Sequence, residues 1–404
     1  MTSLKQTFQA FRHRNYRLFW SGFALSIVGT WMQTLAQGWL VWRLTESALW
    51  LGIIGAMSQL PSLLLGSIGG VLVDRTPKRY VLYITQSGLA LSAFLLAILT
   101  FTGLVNEWHV LILATISGSF MAIDAPARLA FVGDLVGKED IGNAVALNSS
   151  TFNGARLVGP SIAGILVPLF GEGVCFLVNA FSYVSLIVTL SLMRNLPPPT
   201  GNPREPVLKQ LRDAYIYIEK APVQRVLIRN VIFLTIFGFS YTTLLPMFAD
   251  IVLGTGAEGL GVLMSAGGVG ALLGGLWQAS MEKGSKRGWV VMMGMAGLGL
   301  GLLIFSLSEQ FEISVIAMAM AGFSGISMLA STNTLLQQLT PDHLRGRVLG
   351  VYTSSFLGFG PFGAVLLGVL AHSFGPRVSL MCAAIVCMLV ATYTIVRYHR
   401  LRVV

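Results

Sequence analysis

Long apolar stretches, separated by short polar segments, run along the whole chain. A membrane-spanning helix needs about 20 mostly apolar residues, and the sequence contains twelve stretches of this kind. The pattern therefore predicts an all-α integral membrane protein with twelve transmembrane helices. The predicted spans, numbered one to twelve in chain order, cover residues 17–43, 49–73, 79–104, 108–133, 141–169, 173–194, 225–252, 258–281, 287–307, 312–338, 345–372 and 376–398.

One longer polar segment, residues 195–224, separates span six from span seven. It opens with Pro197, Pro198 and Pro199, through which a helix would not continue. Apolar residues then recur at helical spacing over 207–220, which predicts a short amphipathic helix on the membrane surface. We therefore expect an N-terminal six-helix bundle (1–194), a cytoplasmic linker (195–224) and a C-terminal six-helix bundle (225–404).

The two predicted bundles resemble each other in sequence. Four glycines near the end of the first bundle recur at the same spacing in the second. Without a gap, they pair as Gly154 with Gly358, Gly159 with Gly363, Gly164 with Gly368, and Gly171 with Gly375. Internal duplication of this kind is typical of secondary transporters, so we expect two pseudo-symmetric halves.

Composition and charge exclude several classes of protein. Of 404 residues, 54% are hydrophobic and only 11% are charged, and the mean hydropathy is +0.73. A soluble domain carries about 25% charged residues, so this chain is neither an ordinary soluble enzyme nor a disordered protein. The net charge of +10 lies in short clusters between apolar runs, which argues against a nucleic-acid partner.

The basic residues also predict the orientation. If both termini are cytoplasmic, most of the 27 Lys and Arg residues fall on the cytoplasmic side, as the positive-inside rule requires. We therefore predict a multi-pass protein of a bacterial-type cytoplasmic membrane with both termini inside.

No cofactor, metal or catalytic chemistry is indicated. Cys175, Cys382 and Cys387 lie in apolar surroundings and form no Cys-x-x-Cys pair. The sequence contains no nucleotide-binding glycine loop, and the five histidines stand in loops or at span ends. We expect no cofactor, no metal site and no catalytic residues, and a membrane enzyme or receptor is the weakest interpretation.

The loop between spans two and three carries a recognisable pattern. Its residues are Gly70, Asp74, Arg75, Lys78 and Arg79. The pattern resembles the Gly-x-x-x-Asp-Arg-x-Gly-Arg-Lys/Arg signature of the major facilitator superfamily, although Pro77 stands where that family prefers glycine. The resemblance implies the twelve-helix major facilitator fold, with this loop as a cytoplasmic gate. The alternative is an ordinary basic loop.

Span five extends the resemblance. Its sequence from Asn153 to Gly164 contains Arg156, Gly159 and Pro160 and is similar to the glycine-proline motif of superfamily exporters. Together with Ala125-Pro126-Ala127-Arg128 at the end of span four, it resembles the enterobactin-exporter branch, which includes macrolide-efflux relatives. The resemblance implies export, whereas a face of small residues that packs helices together would explain the glycines alone.

Away from the span ends, three charged residues stand out within the predicted spans, where charges are costly and usually functional. Asp124 and Arg128 are spaced i, i+4 and can pair, and Arg156 of span five could reach the same carboxylate. One interpretation is a structural charge cluster that fastens spans four and five. The other is a proton-coupling site at Asp124 and Arg128, with Arg156 holding an anionic part of a substrate.

Polar side chains form stripes on several spans. In span one they are Thr30, Gln33, Thr34 and Gln37, in span seven Tyr241, and in span ten Ser327 and Ser331. Because spans one, four, seven and ten surround the cavity in the major facilitator fold, the resemblance assigns these residues to substrate binding. The alternative is hydrogen bonding between helices.

The function that follows is secondary active transport. We expect a proton-driven exporter of a small organic molecule, siderophore-like or an amphipathic drug, that works by alternating access. The alternative is a lipid or lysophospholipid flippase of the same fold. The expected partners are the substrate, protons and membrane lipid, and we expect a monomer.

Overall fold

Helices form every predicted span. The structure is a computed structural model that describes residues 8–194, 196, 207–282 and 286–402. Within these ranges, the side chains of 67–72, 74, 75, 207–211, 213, 400 and 402 lie outside the description. No strand occurs in the described ranges, so the prediction of an all-α fold is confirmed.

The first six spans occupy five helices. These helices are Arg14–Thr45, Ala48–Arg75, Lys78–Phe101, Glu107–Phe170 and Glu172–Ser191. Spans four and five share the 64-residue helix Glu107–Phe170, which is interrupted at Gly137 with φ 74° and ψ 177°. This left-handed backbone favours glycine, so Gly137 turns the chain between the two spans.

The second six spans are less regular. The linker helix is Val207–Lys220. The segments that follow it are Pro222–Val252, Gly256–Ser280, Arg287–Leu307, Phe311–Leu339, Asp342–Gly358, Gly360–Phe374 and Pro376–Arg397. Span seven changes from an α-helix to a π-helical turn at Leu234–Phe239 and to a 3₁₀ turn at Ser240–Leu244. Such irregular turns are frequent at functional sites.

Ten of the described helices are long and apolar enough to cross a membrane. The shared helix of spans four and five counts once among them. The helix of span one, Arg14–Thr45, is not one of the ten, and its stripe of polar residues lowers its mean hydropathy.

Contacts divide the chain into two compact units. The first comprises Met1–Leu44 and Leu60–Pro203, and the second comprises Thr45–Gln59 and Arg204–Val404. In the first unit, Phe19 and Phe131 pack edge to face in a core with Leu82 and Leu186. In the second, the rings of Phe248 and Phe305 stack with centroids 4.2 Å apart.

The start of the chain is held against the start of span five. Arg12 Nε and His13 Nε2 each lie 2.7 Å from Asp140 Oδ2, and the Ala10 N–H donates to Asn143 Oδ1 at 2.9 Å. The hydrogen bond with His13 and the charge of Arg12 keep the pKa of Asp140 below its usual value. This carboxylate therefore anchors the N-terminal segment while it is ionised.

The repeated glycines adopt the same geometry in both halves. Gly171 has φ 79° and ψ 169°, and Gly375 has φ 84° and ψ 162°. Both values are open mainly to glycine, and each residue separates a repeated span from the next. The sequence repeat therefore coincides with a repeated turn.

A second glycine pair provides equivalent helix contacts. A β-carbon at Gly159 of span five would lie 2.6 Å from Trp31 Cβ of span one. A β-carbon at Gly363 of span eleven would lie 2.8 Å from Ile236 Cα of span seven and would collide with the Ser240 hydroxyl. Each glycine thus lets its helix approach the first helix of its own half closely.

We expect Gly159→Ala and Gly363→Ala each to destabilise the protein by about 1–3 kcal/mol, because the added methyl group overpacks a backbone contact. Gly154→Ala is the matched control, since a β-carbon there would meet nothing within 4 Å. Melting temperatures of the purified proteins in detergent measure the effect. Equal melting temperatures for all three variants would contradict the close packing.

Candidate functional site

Asp124 of span four is fully buried, and its two oxygens have different partners. Oδ1 accepts hydrogen bonds from Thr85 Oγ1 at 2.7 Å and from Gln86 Nε2 at 2.8 Å. Oδ2 forms an ion pair with Arg128 Nε at 2.7 Å. The carboxylate therefore ties span four to span three, and its charge is balanced within its own helix.

Arg128 is held between this carboxylate and span one. Its guanidinium carbon lies 5.2 Å from the ring centroid of Phe23, and its Nη2 lies 3.7 Å from Met121 Sδ. A cation over an aromatic face is favourable where water is scarce. The position of Arg128 thus depends on both Asp124 and Phe23.

Arg156 of span five has a different partner from the one that the sequence suggested. Its guanidinium carbon lies 5.5 Å from the ring centroid of Trp31 in span one. Trp31 in turn packs edge to face with Phe152, with centroids 5.7 Å apart. Among the ion pairs of the described residues, none joins Arg156 to Asp124. The hydrogen bonds of Asp124 therefore join span four to span three, and this carboxylate does not fasten span four to Arg156 of span five.

The polar stripe of span one divides into two pairs. Thr30 Oγ1 lies 3.1 Å from the Tyr183 hydroxyl, and Gln33 Oε1 accepts from Asn179 Nδ2 at 2.6 Å. These two residues therefore bind span six. Thr34 is exposed and donates to the carbonyl of Thr30 one turn earlier, and Gln37 is half-buried.

The stripe of span ten lies inside the second unit. Ser327 and Ser331 are buried, and Ser331 Oγ donates to Gln278 Oε1 of span eight at 3.0 Å. The same oxygen accepts from Arg287 Nη1 at 2.8 Å. Tyr241 is buried in the 3₁₀ turn of span seven. Ser331 therefore takes part in a hydrogen bond between helices, while substrate binding by these residues stays a prediction.

The predicted gate residues are described only in part. Gly70, Asp74 and Arg75 close the helix of span two, but their side chains lie outside the described residues. Lys78 Nζ lies 2.6 Å from Asp134 Oδ2, and Arg79 Nη2 donates to the Ser191 carbonyl at 3.1 Å. These two basic residues therefore join span three to the ends of spans four and six.

Some of the residues in these contacts were missed by the sequence pattern. Thr85 and Gln86 read as ordinary polar positions of span three, and Trp31 reads as an apolar residue within the span-one stripe. The i, i+4 spacing of Phe152 and Arg156 was an available signal, because it places a ring and a cation on one helix face. Arg229, in the second turn of span seven, is a further charged residue within a predicted span, and the sequence pattern did not single it out.

The arrangement suits the binding of ions and ligands. An arginine that lies beside aromatic rings keeps N–H groups free to bind an anion. In the part of the chain that the structure describes, no group of three His, Cys, Asp or Glu residues could hold a metal ion.

We expect Thr85→Val to destabilise the protein by about 1–3 kcal/mol, because it removes a donor from a buried carboxylate. Thr102→Val is the matched control, since Thr102 is exposed at the end of the same helix and donates only to carbonyls of that helix among the described residues. The comparison of their melting temperatures checks this. Equal melting temperatures would mean that the contact with Asp124 contributes nothing.

Three transporters are similar to the chain over nearly its whole length. The staphyloferrin A transporter of Staphylococcus aureus (strain NCTC 8325 / PS 47) is 26% identical over 394 residues, which cover 96% of this chain and 97% of that protein. The enterobactin exporter EntS of Shigella boydii serotype 4 (strain Sb227) is 27% identical over 387 residues, which cover 93% of this chain and 89% of that protein. The multidrug efflux pump Tap of Mycolicibacterium fortuitum is 26% identical, with 91% of each covered.

A solved structure matches the fold of this chain, and a protein family matches its sequence. A crystal structure of a bacterial homologue of the human lysosomal transporter Spinster has a TM-score of 0.75 at 12% identity and covers 98% of this chain and 97% of that one. At this identity the likeness concerns the fold alone, and it is the major facilitator fold. Residues 5–404 match the family described as transmembrane secretion effectors. The chain is therefore a multi-pass membrane transporter, not an enzyme, and it belongs to the transmembrane secretion effector family of the major facilitator superfamily.

Proposed function

We propose that this transporter is a proton-driven exporter of a small organic molecule, siderophore-like or an amphipathic drug. The similar proteins support export, since their names describe a siderophore transporter, a siderophore exporter and a multidrug efflux pump. They do not favour the alternative of a lipid or lysophospholipid flippase. The mechanism that we infer is alternating access between two six-helix halves.

The observation that supports proton coupling is that the two carboxylate oxygens of Asp124 have different partners. Oδ1 accepts from the neutral donors Thr85 and Gln86, whereas Oδ2 faces the cation of Arg128. A proton placed on Oδ2 leaves Oδ1 as a carbonyl acceptor, so both neutral hydrogen bonds survive. It removes only the ion pair with Arg128. Protonation and the Arg128 contact therefore compete for the same oxygen.

Release of Arg128 links the proton to span one. Its guanidinium already lies over Phe23 of that span, and without the carboxylate it becomes an unpaired cation inside the membrane, which is costly. Such a cation requires a new anion or a path to water. We infer that an anionic substrate group, or a movement of spans one and four, meets this requirement during each cycle.

The substrate-binding group that we propose centres on Arg156, Trp31 and Phe152. Arg156 supplies positive charge, and the two rings supply flat apolar surfaces. The indole Nε1 of Trp31 is buried without a hydrogen-bond partner among the described residues, so it can donate to a ligand. This combination fits an anionic aromatic or carboxylate-bearing molecule. Thr34 and Gln37 extend the same stripe toward the far end of span one.

The remaining predicted roles complete the proposal. Gly70, Asp74, Arg75, Lys78 and Arg79 form the gate, and both termini lie in the cytoplasm of a bacterial-type cell. The protein acts as a monomer. The concentration of Lys and Arg in the loops on one side of the membrane supports this orientation.

We expect Asp124→Asn to abolish efflux driven by a pH gradient, because the neutral amide can neither release a proton nor hold Arg128 as a carboxylate does. Glu139→Gln is the control, since its side chain is 90% exposed. The assay follows substrate counterflow and proton movement in proteoliposomes with an imposed pH gradient. A screen of siderophores, amphipathic drugs and lysolipids supplies the substrate.

The outcomes separate the hypotheses. Retention of proton-coupled efflux by Asp124→Asn would remove this residue from the coupling mechanism. If the protein moved lysolipids across the vesicle membrane and no other compound, the flippase hypothesis would replace the exporter hypothesis.

We expect Arg156→Gln to raise the KM for an anionic substrate about tenfold, which corresponds to the loss of one charge-assisted hydrogen bond. Trp31→Leu removes the ring and the indole N–H and should weaken binding of aromatic substrates, whereas Trp31→Phe keeps the ring. Initial efflux rates at several substrate concentrations give KM and kcat separately. An unchanged KM for all three variants would place the substrate elsewhere.

A further inference from the structure

Arg229 is a charged side chain within span seven. It lies about two helical turns after Pro222, where the helix begins, and therefore roughly 10 Å along the axis. Its guanidinium carbon is 4.9 Å from the ring centroid of Tyr393 and 5.4 Å from that of Tyr398. These two tyrosines belong to the end of span twelve and form an aromatic corner around the cation.

Among the described residues, the positive charge of Arg229 has no acidic partner. None of the ion pairs among the described residues includes it, and its Nη2 is buried without a hydrogen-bond acceptor in that part of the chain. The tyrosine faces attract the cation, but they do not accept the five N–H groups of a guanidinium. A partly buried cation without an anion is unfavourable at membrane depth, so this position favours an anionic ligand.

Arg229 forms part of the wall of a cavity of about 340 Å³. The cavity is lined by Arg229, Phe233, Leu389, Val390 and Tyr393. Leu389 is 63% exposed and Tyr393 is 50% exposed, so the cavity opens on the outer surface of spans seven and twelve. The lining combines one charged residue, Arg229, with aliphatic and aromatic residues, which matches an anionic head joined to a hydrocarbon chain.

We propose that this cavity binds an anionic phospholipid of the membrane surface that carries the C-terminus. The lipid phosphate contacts the guanidinium of Arg229, and an acyl chain lies along Phe233, Leu389 and Val390. Exposed Arg397, at the C-terminal end of span twelve, adds positive potential at that surface. The apolar walls favour a lipid over a free phosphate ion. This site is separate from the proposed substrate-binding group, which lies in the first unit.

The experiment measures the effect of lipid on the full-length protein. Mixed micelles contain either phosphatidylglycerol or phosphatidylcholine, and native mass spectrometry and melting temperatures report binding. We expect phosphatidylglycerol to bind and to raise the melting temperature more than phosphatidylcholine does. Arg229→Gln should weaken phosphatidylglycerol binding at least tenfold. Arg225→Gln removes the same charge one turn earlier, from an exposed side chain, and should change binding by less than twofold.

A second variant tests the cavity without changing the charge. Leu389→Trp keeps Arg229 and fills the apolar part of the cavity, so it should also weaken phosphatidylglycerol binding, and it decides the matter if Arg229→Gln fails to fold. If Arg225→Gln and Arg229→Gln weakened phosphatidylglycerol binding equally, the lipid would be attracted only by a diffuse basic surface, and the proposal would be overturned. Unchanged phosphatidylglycerol binding by Leu389→Trp would also overturn it. If soluble glycerol phosphate raised the melting temperature as much as phosphatidylglycerol does, the site would bind a free anion and the lipid proposal would be wrong.

Discussion

A charge inside the hydrocarbon layer has no water to solvate it, and the arrangement of the first unit follows from this constraint. Asp124 is fully buried, so every interaction of its carboxylate must come from the protein. Arg128 neutralises one oxygen from the next turn of the same helix, and Thr85 and Gln86 occupy the other. Spans three and four are thereby joined at a defined depth and rotation.

Arg156 and Arg229 each lack an acidic partner among the described residues, and each lies against aromatic rings. Arg156 lies over Trp31, and Arg229 lies between Tyr393 and Tyr398. A ring face attracts the cation but leaves most of its N–H groups free to bind an anion. This shared geometry connects our two binding proposals. One arginine faces a mixed aromatic and polar stripe, whereas the other faces an apolar groove on the outer surface, and the surroundings determine which anion fits.

The duplicated halves share close helix contacts but differ in helix regularity. Gly159 and Gly363 each bring a repeated span against the first helix of its half, and Gly171 and Gly375 make the same turn. Span seven nevertheless loses its α-helical pattern at Leu234–Phe239, beside the contact with Gly363. The equivalent region of span one stays α-helical. The first helix of the second half therefore has irregular backbone hydrogen bonds where its counterpart is regular, and such irregular turns are frequent at functional sites.

The positions of the spans, the repeat and the class of transporter could be read from the sequence, because hydropathy and glycine spacing act over short distances along the chain. Only the tertiary structure decided which partners the polar side chains take. Helical spacing places Ser331 and Arg156 on particular faces, yet it does not specify the neighbour opposite each face. Gln278 faces Ser331, and Trp31 lies under Arg156. These pairings depend on how the helices rotate and pack, which arises from contacts between residues far apart in the chain.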